Sequence, residues 1–276
     1  MRFIKKCLFF ALFFNASLFA EASVEDPSGG VPKPAVDLPF PVGEVLAYDI
    51  YWGWIGVGTS VATTRWEWRD DRWYIVIQFR TQTNNAVERL YPVDDNVETW
   101  IDAATLRPLR FTTKLSAGRQ TRDEETEFDW ETMTATYRRR RSEDRVEVKT
   151  YTIEENTRDL VSFMYFMRNQ EFEANQSYEF EVVVNDKMYE LDVRTRRMDR
   201  VNLKNYGRIQ SLRIDPRASF DGVFVRRGEM SVWLSQDVRR ILTKLELDTP
   251  FAKVKLLLRN VRGPGDDDWI KKAEKE

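Results

Sequence analysis

Between Gly53 and Gly58 the sequence reads Gly-Trp-Ile-Gly-Val-Gly, a density of glycine that in a different setting cradles a phosphate. A phosphate loop needs a strand before it and a helix after it, because the helix N-terminus supplies the free amides. Both flanks here, EVLAYDIYW and TSVATTRWEW, are rich in β-branched and aromatic residues with partial period-two alternation, the pattern of strands. The glycines therefore predict a hairpin corner. The carboxylates offer a second kind of chemistry. Asp94 and Asp95 are neighbours on a predicted strand, so their side chains leave by opposite faces and cannot flank one bond. Carboxylates brought together only by the fold stay open to glycan hydrolysis, which needs two acids and no histidine.

The stretch YEFEVVVNDKMYELDV, residues 178–193, can be paired by hand if Asn185-Asp186 is a two-residue turn. Tyr178, Phe180 and Val182 then meet Val193, Leu191 and Tyr189 on a core face. On the other face Glu181 opposes Glu190 and Glu179 opposes Asp192, a like-charge arrangement that needs a counterweight. Arg194, Arg196, Arg208 and Arg213 are close enough in sequence to supply it. A hard cation such as Ca²⁺ is the alternative; the expectation is arginine or water, with no metal. Acidic RDEETEFD and basic YRRRR lie on consecutive predicted strands, so cross-strand pairing accounts for both without a ligand.

Aromatic side chains carry the remaining signal. Trp52 and Trp54 stand at the glycine corner, with Trp66, Trp68, Trp73, Trp100, Trp130 and Trp233 further along. Indoles build cores and also line ligand clefts. The candidate ligand-binding residues are Tyr48, Trp52, Trp54, Phe163, Phe166 and Trp233. No catalytic residue is assigned, and no pattern calls for a cofactor.

Other chemistry is closed off by composition. The chain has no histidine and a single cysteine, Cys7, which excludes Ser-His-Asp and Cys-His nucleophiles, histidine-ligated zinc and an imidazole switch. Cys7 sits in the opening MRFIKKCLFFALFFNASLFAEAS, where Arg2, Lys5 and Lys6 precede a short apolar run and the small residues Ala20-Glu21-Ala22 follow. That is the pattern of a secretory signal peptide over residues 1–22, with cleavage after Ala22; the run is too short for the ~20 apolar residues of a membrane span. The leader holds three of the 43 basic and one of the 45 acidic residues, so the mature chain is weakly acidic. An acidic, exported chain argues against nucleic acid as a partner and places the protein in the periplasm or outside the cell.

The elements that must position these residues follow from the pattern. Residues 23–42 carry five prolines and two glycines, an extended arm. Strand signals then recur at 45–52, 59–68, 72–82, 95–101, 109–117, 121–129, 133–140, 145–153, 178–184, 187–197, 207–214, 220–226, 229–235, 240–248 and 253–261, separated by turn residues. NNAVERLYP predicts a short helix started by Asn84 or Asn85 and stopped before Pro92. NTRDLVSFMYFMRN predicts a longer one, capped by Asn156 or Thr157, whose wide apolar face wants cover on more than one side. The expected fold is all-β: one antiparallel curved sheet or partly closed barrel over residues 43–262, with one or two short helices against its concave face. A charged tail occupies residues 263–276.

PVGEVLAYDIYWGWIGVGTSVATT resembles the opening signature of the DUF3108 family, TRDLVSFMYFMRN its central helix, and MSVWLSQDVRRILTKLELDTPFAKVKLLLRNV its C-terminal Trp-Leu-Ser-x-Asp strand pair. The chain departs from that pattern at Leu242, where a proline is frequent, and at Phe251-Ala252, where a glycine is often found. The resemblance implies an exported envelope protein and brings no catalytic residues with it. The expected function is a non-catalytic binding module for an apolar or amphipathic envelope ligand such as a lipid, held between the strand-one aromatics and the helix. The alternatives are a structural or assembly partner of another envelope protein and, last, a carboxylate-dependent glycan hydrolase.

Overall fold

The computed structural model describes residues 28–265 except 29, 119, 143–144, 185, 221–222, 225–229 and 250–251. The expected signal peptide, the charged tail from 266 and Asn185 of the expected turn lie outside the described residues. Among the described residues sixteen strands make one sheet, accompanied by two helices. Strands β1 (Val45–Trp52), β2 (Ile55–Arg69) and β3 (Arg72–Thr83) lead to helix α1 (Asn85–Glu88). Then come β4 (Val93–Ile101), β5 (Pro108–Ala117), β6 (Gln120–Asp129), β7 (Thr134–Ser142) and β8 (Arg145–Thr152). A three-residue strand β9 (Thr157–Asp159) opens directly into helix α2 (Leu160–Arg168). The chain finishes with β10 (Ser177–Val184), β11 (Lys187–Leu203), β12 (Gly207–Phe220), β13 (Val223–Phe224), β14 (Met230–Ser235), β15 (Leu242–Asp248) and β16 (Lys253–Arg262).

The strand order β8-β7-β6-β5-β4-β3-β2-β1-β16-β15-β14-β12-β11-β10-β9 is two meanders fused where β1 pairs with β16. The sheet's two edges, β8 and β9, are consecutive in the chain. Five peptide steps from Thr152 to Thr157 span at most about 18 Å, so the sheet must curl until its edges nearly meet. The Lys149 ammonium binds the Asp186 carboxylate across that gap, and Ile153 joins Val183, Phe128 and Ala135 in one apolar cluster. Among the described residues no ladder joins β8 to β9, so the barrel stays open. The edge of β8 is guarded by Arg145, Glu147 and Lys149, alternating with exposed Val146 and Val148, the charged edge that discourages pairing with another chain.

Helix α2 is the plug the sequence predicts: it connects β9 to its parallel neighbour β10 and lays its apolar face against the sheet. Phe163 and Met167 enter the main core with Leu46, Tyr48, Ile50 and Ala62. Val161 and Tyr165 pack with Ile75, Ile77 and Ile101. The arm joins them: Phe40 meets Tyr165 edge-on at 4.8 Å and is 1% exposed.

Two local features differ from the pattern. Residues 157–159 are extended and pair in parallel with Glu181–Val183, so the helix starts later and its cap is Asp159 rather than Asn156 or Thr157. Strands β11 and β12 run on to 203 and 220, past a bulge between Thr195 and Met198. At the other end of the sheet, Gly263 crosses Gly43 so closely that a Cβ there would lie 2.3 Å from the Gly43 carbonyl oxygen; only glycine fits.

Candidate functional site

The glycine stretch forms the two-residue corner Gly53–Trp54 between β1 and β2. Gly53 takes φ +62°, a conformation glycine adopts without cost, and its amide donates to the Lys253 carbonyl at 2.8 Å. Trp54 is 88% exposed, Ile55 43% and Trp52 37%. Alternation puts Tyr48 and Trp52 on one face, and the register shift between Ile50 and Tyr51 inserts Val57 as an extra residue of β2 and leaves β1 regular. Trp52 ends its strand, next to the exposed corner. Tyr48 is buried in the main core while Trp52 stands at the rim.

The other candidates divide in the same way. Phe163 is buried beside Tyr48 in the main cluster, with Phe180 edge-on at 5.2 Å. Phe166 is half-buried, 6.0 Å from the same Phe180 ring and under the Arg158 guanidinium at 4.7 Å. Trp233 is buried; its indole N–H donates to Asp199 Oδ2 at 3.0 Å, and Lys244 Nζ lies 4.0 Å from the ring centroid. Trp233, Asp199, Lys244 and Lys255 line an open depression of about 330 Å³. The structure thus brings together Tyr48 and Phe163 inside, and Trp52 and Trp54 outside.

The interior is polar at positions that no local pattern marks. Glu44 is fully buried and accepts from Arg168 Nη1 at 2.6 Å and Nη2 at 2.9 Å and from Arg239 Nη2 at 2.6 Å. Burial pushes the Glu44 carboxyl up, but the charge and hydrogen bonds of Arg168, then of Arg239, outweigh it and hold the group below its ordinary range. Across the sheet, Ser60 faces Thr81 and Thr81 faces Asp95, with the Ser60 and Thr81 hydroxyls 2.7 Å apart. Asp95 is 5% exposed and accepts from the Ser116 amide at 3.0 Å. Burial raises its carboxyl to about 7, against the pull of that amide and with help from the Asp94 charge. Asp94 is on the other face, near Arg80, as strand alternation requires.

Asp159 completes this buried set. Its Oδ1 accepts from the amides of Val161 at 2.8 Å and Ser162 at 2.9 Å, and Thr99 Oγ1 donates to Oδ2 at 2.6 Å. One carboxylate thus starts the helix and ties it to β4. Asp159→Ala removes cap and tether together and is expected to cost about 2 kcal/mol, the upper end for an N-cap. Asp159→Asn, which keeps the cap acceptor, is expected to cost less than half of that in the same urea titration; equal losses would show that the negative charge, and not the acceptor geometry, is what matters.

The 178–193 hairpin has the register read from its sequence, with Glu181 opposite Glu190 and Glu179 opposite Asp192. Arg194 pairs with Asp192 at 2.6 Å, and Thr157 Oγ1 donates to Glu181. Among the described residues no group of three or more His, Cys, Asp or Glu side chains is placed to hold a metal ion. The strands of RDEETEFD and YRRRR pair as expected, Glu124 opposite Arg139 and Glu125 opposite Arg138. Among the described residues no helix is long and apolar enough to cross a membrane.

A second depression, of about 480 Å³, lies between Thr59, Thr83, Asn84, Asn85 and Arg259. Its walls come from β2, β3, the start of α1 and β16, and of its lining residues the sequence marks only Asn84 and Asn85, as alternative helix starts. Asn84 is that cap, its Oδ1 accepting from the Val87 amide at 3.1 Å.

No curated protein matches the sequence. Among solved structures the chain is similar to the beta-barrel-like protein of domain of unknown function DUF1849 from Brucella abortus, with 12% identity and a TM-score of 0.50 over 80% of this chain and 97% of that one. At that identity the likeness is one of fold. The profile described as protein of unknown function (DUF3108) matches residues 47–259, from the first inward-facing strand through the last. The chain belongs to the DUF3108 family.

Proposed function

We propose that the protein is an exported, non-catalytic binding module of the cell envelope that engages a lipid–water interface through the Trp52–Ile55 corner. The observation that carries this reading is the exposure of Trp54, 88%, with Ile55 and Trp52 partly exposed beside it. Tryptophan combines a large apolar body with one hydrogen-bond donor, which suits it to the boundary between acyl chains and headgroups. The concave face, by contrast, is filled by Phe163, Met167 and the buried ions around Glu44, so an elongated ligand has better access to the rim than to the interior. A second reading, an assembly partner in the envelope, is favoured by the half-exposed Val146 and Val148 on the open edge β8.

The test is co-sedimentation with vesicles of phosphatidylethanolamine and phosphatidylglycerol. Trp54→Ala is expected to weaken binding by about tenfold or more, the equivalent of losing one large buried apolar side chain, with the melting temperature unchanged. Undiminished binding by the variant, or no binding by the parent, would remove the lipid reading. Co-purification of one envelope protein, lost on changing Val146 and Val148 to Thr, would establish the assembly reading instead.

A further inference from the structure

The open cleft of about 480 Å³ beside α1 has a composition that the lipid-facing corner does not explain. Its size falls in the ~300–1,000 Å³ range of small-molecule sites. Thr83 is 3% exposed, and its hydroxyl and that of Thr59 are buried with no hydrogen-bond partner. An unmet hydroxyl costs on the order of 1–3 kcal/mol; Thr59 stands opposite Asp49 and Gln82 and so shares the face of Asp49, whereas Thr83, next to Gln82, leaves by the other. A threonine hydroxyl changes direction by rotation about one bond, so that of Thr59 can turn toward an occupant.

The remaining walls supply complementary groups. The Arg259 guanidinium gives Nη1 to Asp49 Oδ1 at 3.0 Å, which leaves Nε and Nη2 as donors and the second Asp49 oxygen as an acceptor. The Asn85 carboxamide, exposed at the mouth, makes no hydrogen bond within the described residues and offers both a donor and an acceptor. Asn84 does not take part, since its amide is fixed on the Gly56 carbonyl at 2.7 Å. Between these groups lie Gly58, Ala86 and the threonine methyls, a small apolar floor.

Donors and acceptors alternate around apolar carbon, and the one positive charge is already balanced by Asp49. A phosphate or carboxylate wants donors only and uncompensated positive charge. A sugar ring carries hydroxyls that donate and accept around a face of C–H groups. We propose that this cleft is a binding site for a neutral saccharide unit, with Arg259–Asp49 and Asn85 reading adjacent hydroxyls and Thr59 closing the inner wall. The site is independent of the lipid reading and stands or falls apart from it.

The experiment is a titration of isotope-labelled full-length mature protein with cellobiose, di-N-acetylchitobiose, glucuronate and inorganic phosphate, following the side-chain NMR signals of Asn85 and Arg259. Neutral disaccharides are expected to shift both signals saturably. Asn85→Ala removes no intramolecular bond and so keeps the fold; it and Thr59→Val are each expected to weaken saccharide binding at least about fivefold, the equivalent of one lost hydrogen bond. Thr59→Val is also expected to leave the melting temperature equal to the parent's or higher, because the orphan hydroxyl is gone. Absence of shifts with both disaccharides overturns the proposal. Shifts with phosphate or glucuronate alone overturn the neutral class in favour of an anion, and unchanged affinity in both variants places the sugar elsewhere.

Discussion

Glu44→Gln is expected to lower the unfolding free energy by about 3–5 kcal/mol, the cost of leaving buried charge without its partner. Arg168 and Arg239 are 3% and 7% exposed, and each points a guanidinium nitrogen at Glu44 from 2.6 Å. Remove the carboxylate and two cations face each other across the site. Neither can leave easily: Arg168 Nε is held by the Arg239 carbonyl at 3.0 Å, and Arg239 Nη1 by the Gly265 carbonyl at 2.9 Å. Arg168 also lies 5.2 Å from the Phe40 ring and 5.0 Å from that of Tyr165, and it occupies the last turn of α2, where a cation suits the helix dipole. The triad therefore joins the arm, the plug helix and the β14–β15 connection.

The same reasoning predicts the opposite outcome for removing the whole triad. Buried ion networks replaced by apolar groups of similar volume are often neutral or stabilising, so Glu44→Leu, Arg168→Met and Arg239→Leu together should recover most of the loss. Urea unfolding followed by circular dichroism decides both. A Glu44→Gln loss under 1 kcal/mol would mean that water or another group reaches the arginines. Because Glu44 sits below its ordinary pKa in the folded chain, its contribution is complete above the unfolded carboxylate range and is lost as the pH falls through the folded value.

Nothing in the local sequence marks Glu44. Its partners lie 124 and 195 residues away, and the segment around it reads only as the start of a strand. Where the determining interactions are local, the sequence is explicit: the 178–193 ladder follows from a two-residue turn and period-two alternation, and the structure has that register pair for pair. The plug helix is legible for the same reason, since its apolar face is wider than one sheet contact can cover. Its cap was misplaced because Thr157–Asp159 pair with β10, a contact that overrides the capping preference of Asn156. The aromatic candidates show the third kind of limit. Alternation assigns Tyr48 and Trp52 to one face, and only their distance from the end of the strand separates them into core and rim. The saccharide cleft needs Asp49, Thr59 and Arg259 from three strands, an assembly visible only once the first and last strands are known to pair.

Asp95 gives the second large effect, through pH. In the unfolded chain its carboxyl ionises at the ordinary aspartate value of about 4, whereas in the folded chain burial holds the proton until about pH 7. Between those values the unfolded state binds fewer protons than the folded one, so stability falls as the pH rises from about 4 to 7 and levels off above that. A shift of this size corresponds to at most about 4 kcal/mol. Asp95→Asn keeps an acceptor for the Ser116 amide and has no charge to bury. The variant is expected to be more stable than the parent at pH 8 by about 2–4 kcal/mol and to match it near pH 4, with the difference opening across the interval. Asp159 and Glu124 are also raised by burial and slope the same way, so parent and variant share their contribution and subtraction isolates Asp95. If the two chains keep a constant difference from pH 4 to 8, the Asp95 carboxylate is already ionised in the fold, and the Ser60–Thr81–Asp95 row must then be hydrated rather than dry. A difference that opens as expected would instead make the row a buried proton store on the sheet's inner face, occupied below neutrality and emptied above it.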